Sequence, residues 1–378
     1  MKIYGFHLMP WPYLKERSEY PDANSLYDPR MGHRVYNEYL DQLEAFEDYG
    51  FDGICFNEHH SVPYGGMPSP NIIAAAIARR TKKLRIAIVG NLPALHGHPL
   101  RLAEELAMLD VITGGRMVSG FVRGIPTEYY AYSQRATEAR ERIEEAVDLI
   151  VKAWTERQPF AWHGKFFTYD HVSIWPRPLQ QPHPPIIYPA QTPDSQEIAA
   201  KRRWPSGIAY RSTAASKPLA DNFRALARTY GWEPTLEDLS ILRFVYVSES
   251  NAQAREEAKE HMDYFWQKLF SMNLGILRLE GGSAPRGYES NTSSQDRQFW
   301  EIDYDFANAS GISICGDPDF VTEQILRQQD EIGVGTFMLL FQFGSLPHNL
   351  AMKNLDLFAR HVLPELRKQA PVQAPSSS

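Results

Sequence analysis

Phe51-Asp52-Gly53-Ile54-Cys55-Phe56-Asn57 runs directly into Glu58-His59-His60. The apolar part reads as a short buried strand, and a Gly- and Pro-rich loop follows it. Three ionisable side chains therefore stand together where a strand ends. In parallel α/β folds, ligands bind and chemistry happens at the C-terminal ends of strands.

Outward from this strand, the chain alternates. Before it, Ile3 to Leu8 reads as a strand. Val35 to Tyr49 reads as a helix with Tyr39, Leu43 and Phe46 on one face and Gly50 at its end. After it come an Ala-rich helix over Asn71 to Arg80 and a strand over Leu84 to Val89. His98-Pro99 then opens a helix that Gly114-Gly115 closes. A strand over Met117 to Val122 and a long amphipathic helix over Arg135 to Trp154 complete four β–α units. Further strands are expected at Pro185 to Pro189, Ser206 to Tyr210, Leu239 to Val247 and Thr336 to Phe343. Helices are expected after Pro193, near Lys217 to Tyr230 and over Leu350 to Ala359. This alternation predicts an α/β fold, a closed (β/α)8 barrel rather than an open sheet.

Two stretches interrupt the repeat. Residues 159–184 are aromatic and Pro-rich and predict a hairpin with an extended arm. Residues 275–311 are rich in Gly, Ser and Asn and predict a lid over the barrel mouth. The expected organisation is one domain over residues 1–365 and a disordered low-complexity tail over 366–378.

The 378 residues are 43% hydrophobic and 22% charged, with a net charge of −7, so composition points to a globular chain with no pull toward nucleic acid. Cys55 and Cys315 provide no disulfide framework and no thiolate metal site. No signal peptide and no membrane-length apolar run is visible, so a cytoplasmic location is expected.

Four segments can carry chemistry. Glu58-His59-His60 is open to a metal, an acid–base or a structural reading. Adjacent histidines on a strand face opposite ways, which counts against a shared metal, and His96-x-His98 lies beside a helix start. Gly90, in Val89-Gly90-Asn91, lets backbone approach a flat ligand or simply shapes a loop. Arg123, at a strand end before Gly124, can grip a phosphate or pair with a carboxylate such as Glu128. Gln191-Thr192-Pro193-Asp194-Ser195 starts a helix whose first N–H groups and hydroxyls suit an anion, or serve only as a cap. Neither a GxGxxG nor a P-loop motif is present.

In order and spacing, Gly50-Phe51-Asp52 to Glu58-His59-His60, His98-Pro99-Leu100-Arg101, Gly114-Gly115-Arg116 and Arg123-Gly124 resemble the bacterial luciferase-like flavin monooxygenases. Gly316-Asp317-Pro318, Gly335-Thr336-Phe337 and Phe343-Gly344-Ser345 continue the likeness. The resemblance implies a barrel that binds reduced FMN delivered by a separate NAD(P)H:flavin reductase. It implies O2 as cosubstrate and oxygenation of a small apolar organic substrate through a flavin peroxide or hydroperoxide. By position, His59 matches an acid–base histidine and His60 its neighbour. Val89–Gly90 matches a non-prolyl cis peptide under the flavin ring, with Asn91 at the ring edge. Arg123, Thr192 and Ser195 match phosphate contacts. Gln191 and Thr192 stand where luciferases have glutamate and serine, and Val122 where they have a reactive cysteine, so a luciferase proper is not implied. The resemblance also suggests a homodimer, with the Ala-rich helix 71–80 as a candidate face. Two other readings stay open: deazaflavin-dependent hydride transfer on the same barrel, and a flavin-binding protein without catalysis.

Overall fold

The computed structural model describes residues 1–17, 20, 22–272 and 297–368. The strand that precedes the histidines, β2 (Gly53–Phe56), lies between β1 (Lys2–His7) and β3 (Arg85–Asn91), parallel to both. Beyond β3 the sheet continues through β4 (Met117–Phe121) to β7 (Ile186–Ile187). On the other side β1 pairs with β11 (Thr336–Leu340), β11 with β9 (Leu239–Val247), and β9 with β8 (Ser206–Ile208), all in parallel. Backbone hydrogen bonds from Tyr188 N–H to Pro205 O (2.9 Å) and from Ala190 N–H to Gly207 O (3.3 Å) join β7 to β8 and close the ring.

Alternation along each strand divides the side chains. Phe6, Cys55, Ala87, Val118, Leu242 and Met338 belong to an inner cluster. Ile3, Ile54, Ile86, Met117, Ile241 and Phe337 pack outward against the helices. Strands buried on both faces read as continuous apolar runs, which is why β2 and β9 were legible.

The helices follow their strands as expected, with instructive differences. α1 spans Pro29–Asp48, earlier than the apolar spacing alone suggests, because Asp28 caps it. The Asp28 carboxylate accepts from Arg30 N–H (2.8 Å) and Met31 N–H (3.3 Å). The helix expected over 135–154 opens with a 3₁₀ turn, Ala136–Glu138, and then runs as α5, Ala139–Thr155. A short strand that periodicity did not reveal, β10 (Ser313–Gly316), pairs with Phe244–Val247 of β9. Four residues are too few to show a period.

In the first insertion β5 (Phe160–His163) and β6 (Thr168–Val172) form the hairpin. The arm after it is tied down by Gln180, whose N–H and Nε2 donate to the Asp110 carboxylate at 2.8 and 2.6 Å. Of the expected lid, residues 275–296 lie outside the described residues; the rest holds Phe299–Glu301 and a helix over Tyr304–Ala309. The closing helix, Leu363–Lys368, extends past the expected boundary at 365; residues 369–378 of the expected tail lie outside the described residues. Among the described residues no helix is long and apolar enough to cross a membrane.

Candidate active site

A cavity of about 270 Å³ opens at the C-terminal mouth of the barrel. Among the residues singled out from the sequence, Glu58, His59, Val89, Arg123, Gln191, Thr192 and Ser195 line it. They come from the ends of β2, β3, β4 and β7. Gly90, Asn91 and His60 lie off its wall.

One end of the cavity is cationic. Arg123 and Arg140 face it beside the start of α6 (Pro193–Arg202). Arg140 pairs with the exposed Asp194 carboxylate at 3.1 Å. Thr192 and Ser195 form a capping box, with Ser195 Oγ 2.8 Å from Thr192 Oγ1 and accepting from Thr192 N–H at 3.1 Å. Gln191 Oε1 accepts from Ala209 N–H (3.3 Å) and so ties this turn to the end of β8. A helix start flanked by two guanidinium groups suits a phosphate.

The other end is apolar. Phe6, Tyr64, Tyr210, Leu242, Phe270, Phe299 and Met338 line it. Phe270 packs edge-on against Phe299 and Tyr64, with ring centroids 5.0 Å apart in each pair. Val89 of β3 also lines the cavity, and the Val89–Gly90 peptide bond behind it is cis.

His59 stands on the cavity wall beside Tyr64. Its Nδ1 lies 2.8 Å from Glu128 Oε1, and its Nε2 lies 2.5 Å from both Asn57 Nδ2 and Tyr64 Oη. Gly65 packs flat on the ring: a Cβ there would come within 2.9 Å of His59 Cδ2. Glycine is required at that contact for lack of room.

Glu58 sits at the edge of the cavity and anchors the groups behind it. Its Oε1 lies 2.8 Å from His60 Nε2, and its Oε2 accepts from Asn91 Nδ2 (3.1 Å) and Leu92 N–H (3.2 Å). His96 Nε2 stands 3.3 Å from Oε1 at ion-pair distance. Burial alone would raise the Glu58 carboxyl, but His60 and His96 outweigh it and hold the group at about 2. The same carboxylate raises His96 against the opposing effect of burial. Among the described residues no group of three or more His, Cys, Asp or Glu side chains converges as a metal shell would.

Sequence reasoning passed over several residues here. It offered Glu128 only as a partner for Arg123, whereas the structure gives it to His59. The available signal was Ile125-Pro126-Thr127-Glu128, a helix start with an acidic third residue. Arg140, Tyr210, Phe270 and Phe299 carried no local signal. A second cavity, about 340 Å³ and lined by Trp11, Tyr27 and Tyr36 among others, shares only His59 with the first among the described residues.

The sequence profile of the luciferase-like monooxygenases matches residues 18–335. The chain belongs to this family. It is an oxidoreductase of the monooxygenase type on a luciferase-like TIM barrel. Within the family, it is 27% identical over 244 residues to the oxygenase component of a flavin-dependent trigonelline monooxygenase of Acinetobacter baylyi, covering 63% of this chain and 66% of that protein. It is 25% identical over 336 residues to an FMNH2-dependent dimethylsulfone monooxygenase of Pseudomonas putida, covering 87% and 83%. The crystal structure of the monooxygenase RslO1 from Streptomyces bottropensis superposes with a TM-score of 0.78 at 28% identity, covering 97% of this chain and all of that one.

Proposed function

We propose that this luciferase-like monooxygenase binds reduced FMN supplied by a separate NAD(P)H:flavin reductase and, with O2 as cosubstrate, oxygenates a small apolar organic substrate. The observation that carries this reading is the lining of one cavity: a helix start with two arginines, aromatic walls and His59. The names of two relatives support it, one being FMNH2-dependent and the other an oxygenase component.

The residues present fit FMN. Arg123, Arg140, Thr192 and Ser195 would hold its phosphate, and Val89–Gly90 would lie under its ring system. Gln191 would steady the turn between them, and Asn91, fixed by Glu58, would sit behind the ring edge. Bound reduced flavin would supply the electrons that activate O2. The chain itself orients the substrate, excludes water through Tyr64, Tyr210, Phe270 and Phe299, and holds or moves a proton at His59 Nε2. His60 would act only by supporting Glu58.

Anaerobic titration tests the reading. Reduced FMN should bind more tightly than oxidised FMN, and under 18O2 one labelled oxygen should enter the product; no affinity for FMN in either redox state would sink it. Tight binding of a deazaflavin with no O2 reactivity would select hydride transfer instead. A cytoplasmic setting, where NAD(P)H is at hand, belongs to the same reading. So does a homodimer, favoured by the exposed Ile72 of α2 (Pro70–Arg80) and Met108, Val111 and Ile112 of α3 (Pro99–Thr113). Analytical ultracentrifugation showing only monomer would remove that part.

A further inference from the structure

Glu128 is fully buried in α4 (Pro126–Ala131), yet it stands next to the reacting cavity. Its Oε1 lies 2.8 Å from His59 Nδ1, and its Oε2 accepts from Ile125 N–H at 2.8 Å. Gly124, at φ +83°, makes room for that second oxygen: a Cβ there would come within 2.8 Å of it. An ionised carboxylate can only accept, so Nδ1 must carry the ring proton of a neutral His59. Nε2 is then the acceptor, and its one lone pair is within reach of the Tyr64 hydroxyl and of the Asn57 amide, both of which line the cavity.

We propose that Glu128 is a positioning residue that holds His59 as the Nδ1–H tautomer and thereby presents Nε2 to the cavity as a proton acceptor. When Nε2 takes a proton, an N–H bond forms and the donor's bond to hydrogen breaks. The donor keeps the electron pair, and the carboxylate offsets the positive ring. This use of the pair rests on the oxygenase reading; the tautomer does not.

Glu128→Gln is the informative change. The Gln oxygen would be claimed by Ile125 N–H, turning the amide NH2 toward Nδ1, which must then accept and push the proton to Nε2. Histidine 15N spectra of the ligand-free protein, with the His59 signal assigned by its loss in His59→Ala, should show Nδ1–H in the wild type and Nε2–H in Glu128→Gln. Turnover per bound reduced FMN should fall by about tenfold or more, while FMN affinity changes by less than about twofold. Glu128→Asp should restore part of the loss. In a His59→Ala background the same Gln change should cost almost nothing further.

An Nε2–H wild-type tautomer overturns the proposal, and so does an equal loss in the His59→Ala background. The wild-type spectrum alone decides the matter if the Gln variant does not fold. A tautomer switch on Glu128→Gln, with a wild-type protein that neither binds FMN nor consumes O2, supports the pair and counts against the oxygenase reading.

Discussion

His59 and His60 are neighbours in sequence, and each is held by a buried carboxylate, but to opposite effect. Glu128 takes the Nδ1 side of His59, and Nε2 meets Asn57 and Tyr64, which line the cavity together with His59. Glu58 takes the Nε2 side of His60, and the Tyr132 hydroxyl donates to Nδ1 at 3.0 Å, so both ring nitrogens are held by protein groups while the His60 ring stays off the cavity wall. Along β2, Cys55 faces the inner cluster while Ile54 and Phe56 turn outward. Past the strand's end, Asn57, Glu58 and His59 line the cavity and His60 does not. On the proposed reading, the same chemical pair is a working group at His59 and a brace at His60.

The largest expected effect falls on the brace. Glu58→Gln should lower stability at neutral pH by about 3 kcal/mol, read by denaturant titration. Its carboxyl ordinarily titrates near 4.5 and is held at about 2 in the fold. The stability it adds is therefore complete above pH 4.5 and disappears as the pH falls through 2. A wild-type stability curve flat across that range would break the comparison.

Next in size, His59→Ala should cut turnover per bound flavin about a hundredfold, about 2.7 kcal/mol, with little change in FMN affinity. Loss of binding with unchanged turnover would move His59 from chemistry to scaffolding. Arg123→Ala should weaken FMN by about 2 kcal/mol and leave riboflavin, which lacks the phosphate, nearly unaffected. Equal losses for both ligands would displace the phosphate from the cationic end. Smallest, His60→Ala should cost about 1.5 kcal/mol of stability and leave turnover per bound flavin within about twofold. A hundredfold loss of turnover there would erase the contrast between the two histidines.

Much of this was readable in the chain. The strand Gly53–Phe56 announced itself by an unbroken apolar run, and alternation already implied that His59 and His60 diverge. Thr192-Pro193 marked the start of α6, because capping and proline geometry are local. The pairing of His59 with Glu128 was not readable, since 69 residues separate them and a helix start offers many uses for a glutamate. Arg140 looked like any other charged residue before α5 turned it toward α6.

The sequence by itself determined the order of strands and helices, the place of Glu58-His59-His60 at a strand end, and the helix cap at Thr192. These follow from periodicity and short-range hydrogen bonding among contiguous residues. Only the tertiary structure decided that backbone bonds between β7 and β8 close the ring, that Phe270 and Phe299 line the cavity, and which carboxylate holds which histidine. Such choices depend on distances between residues far apart in the chain, which are set when the strands close into a ring.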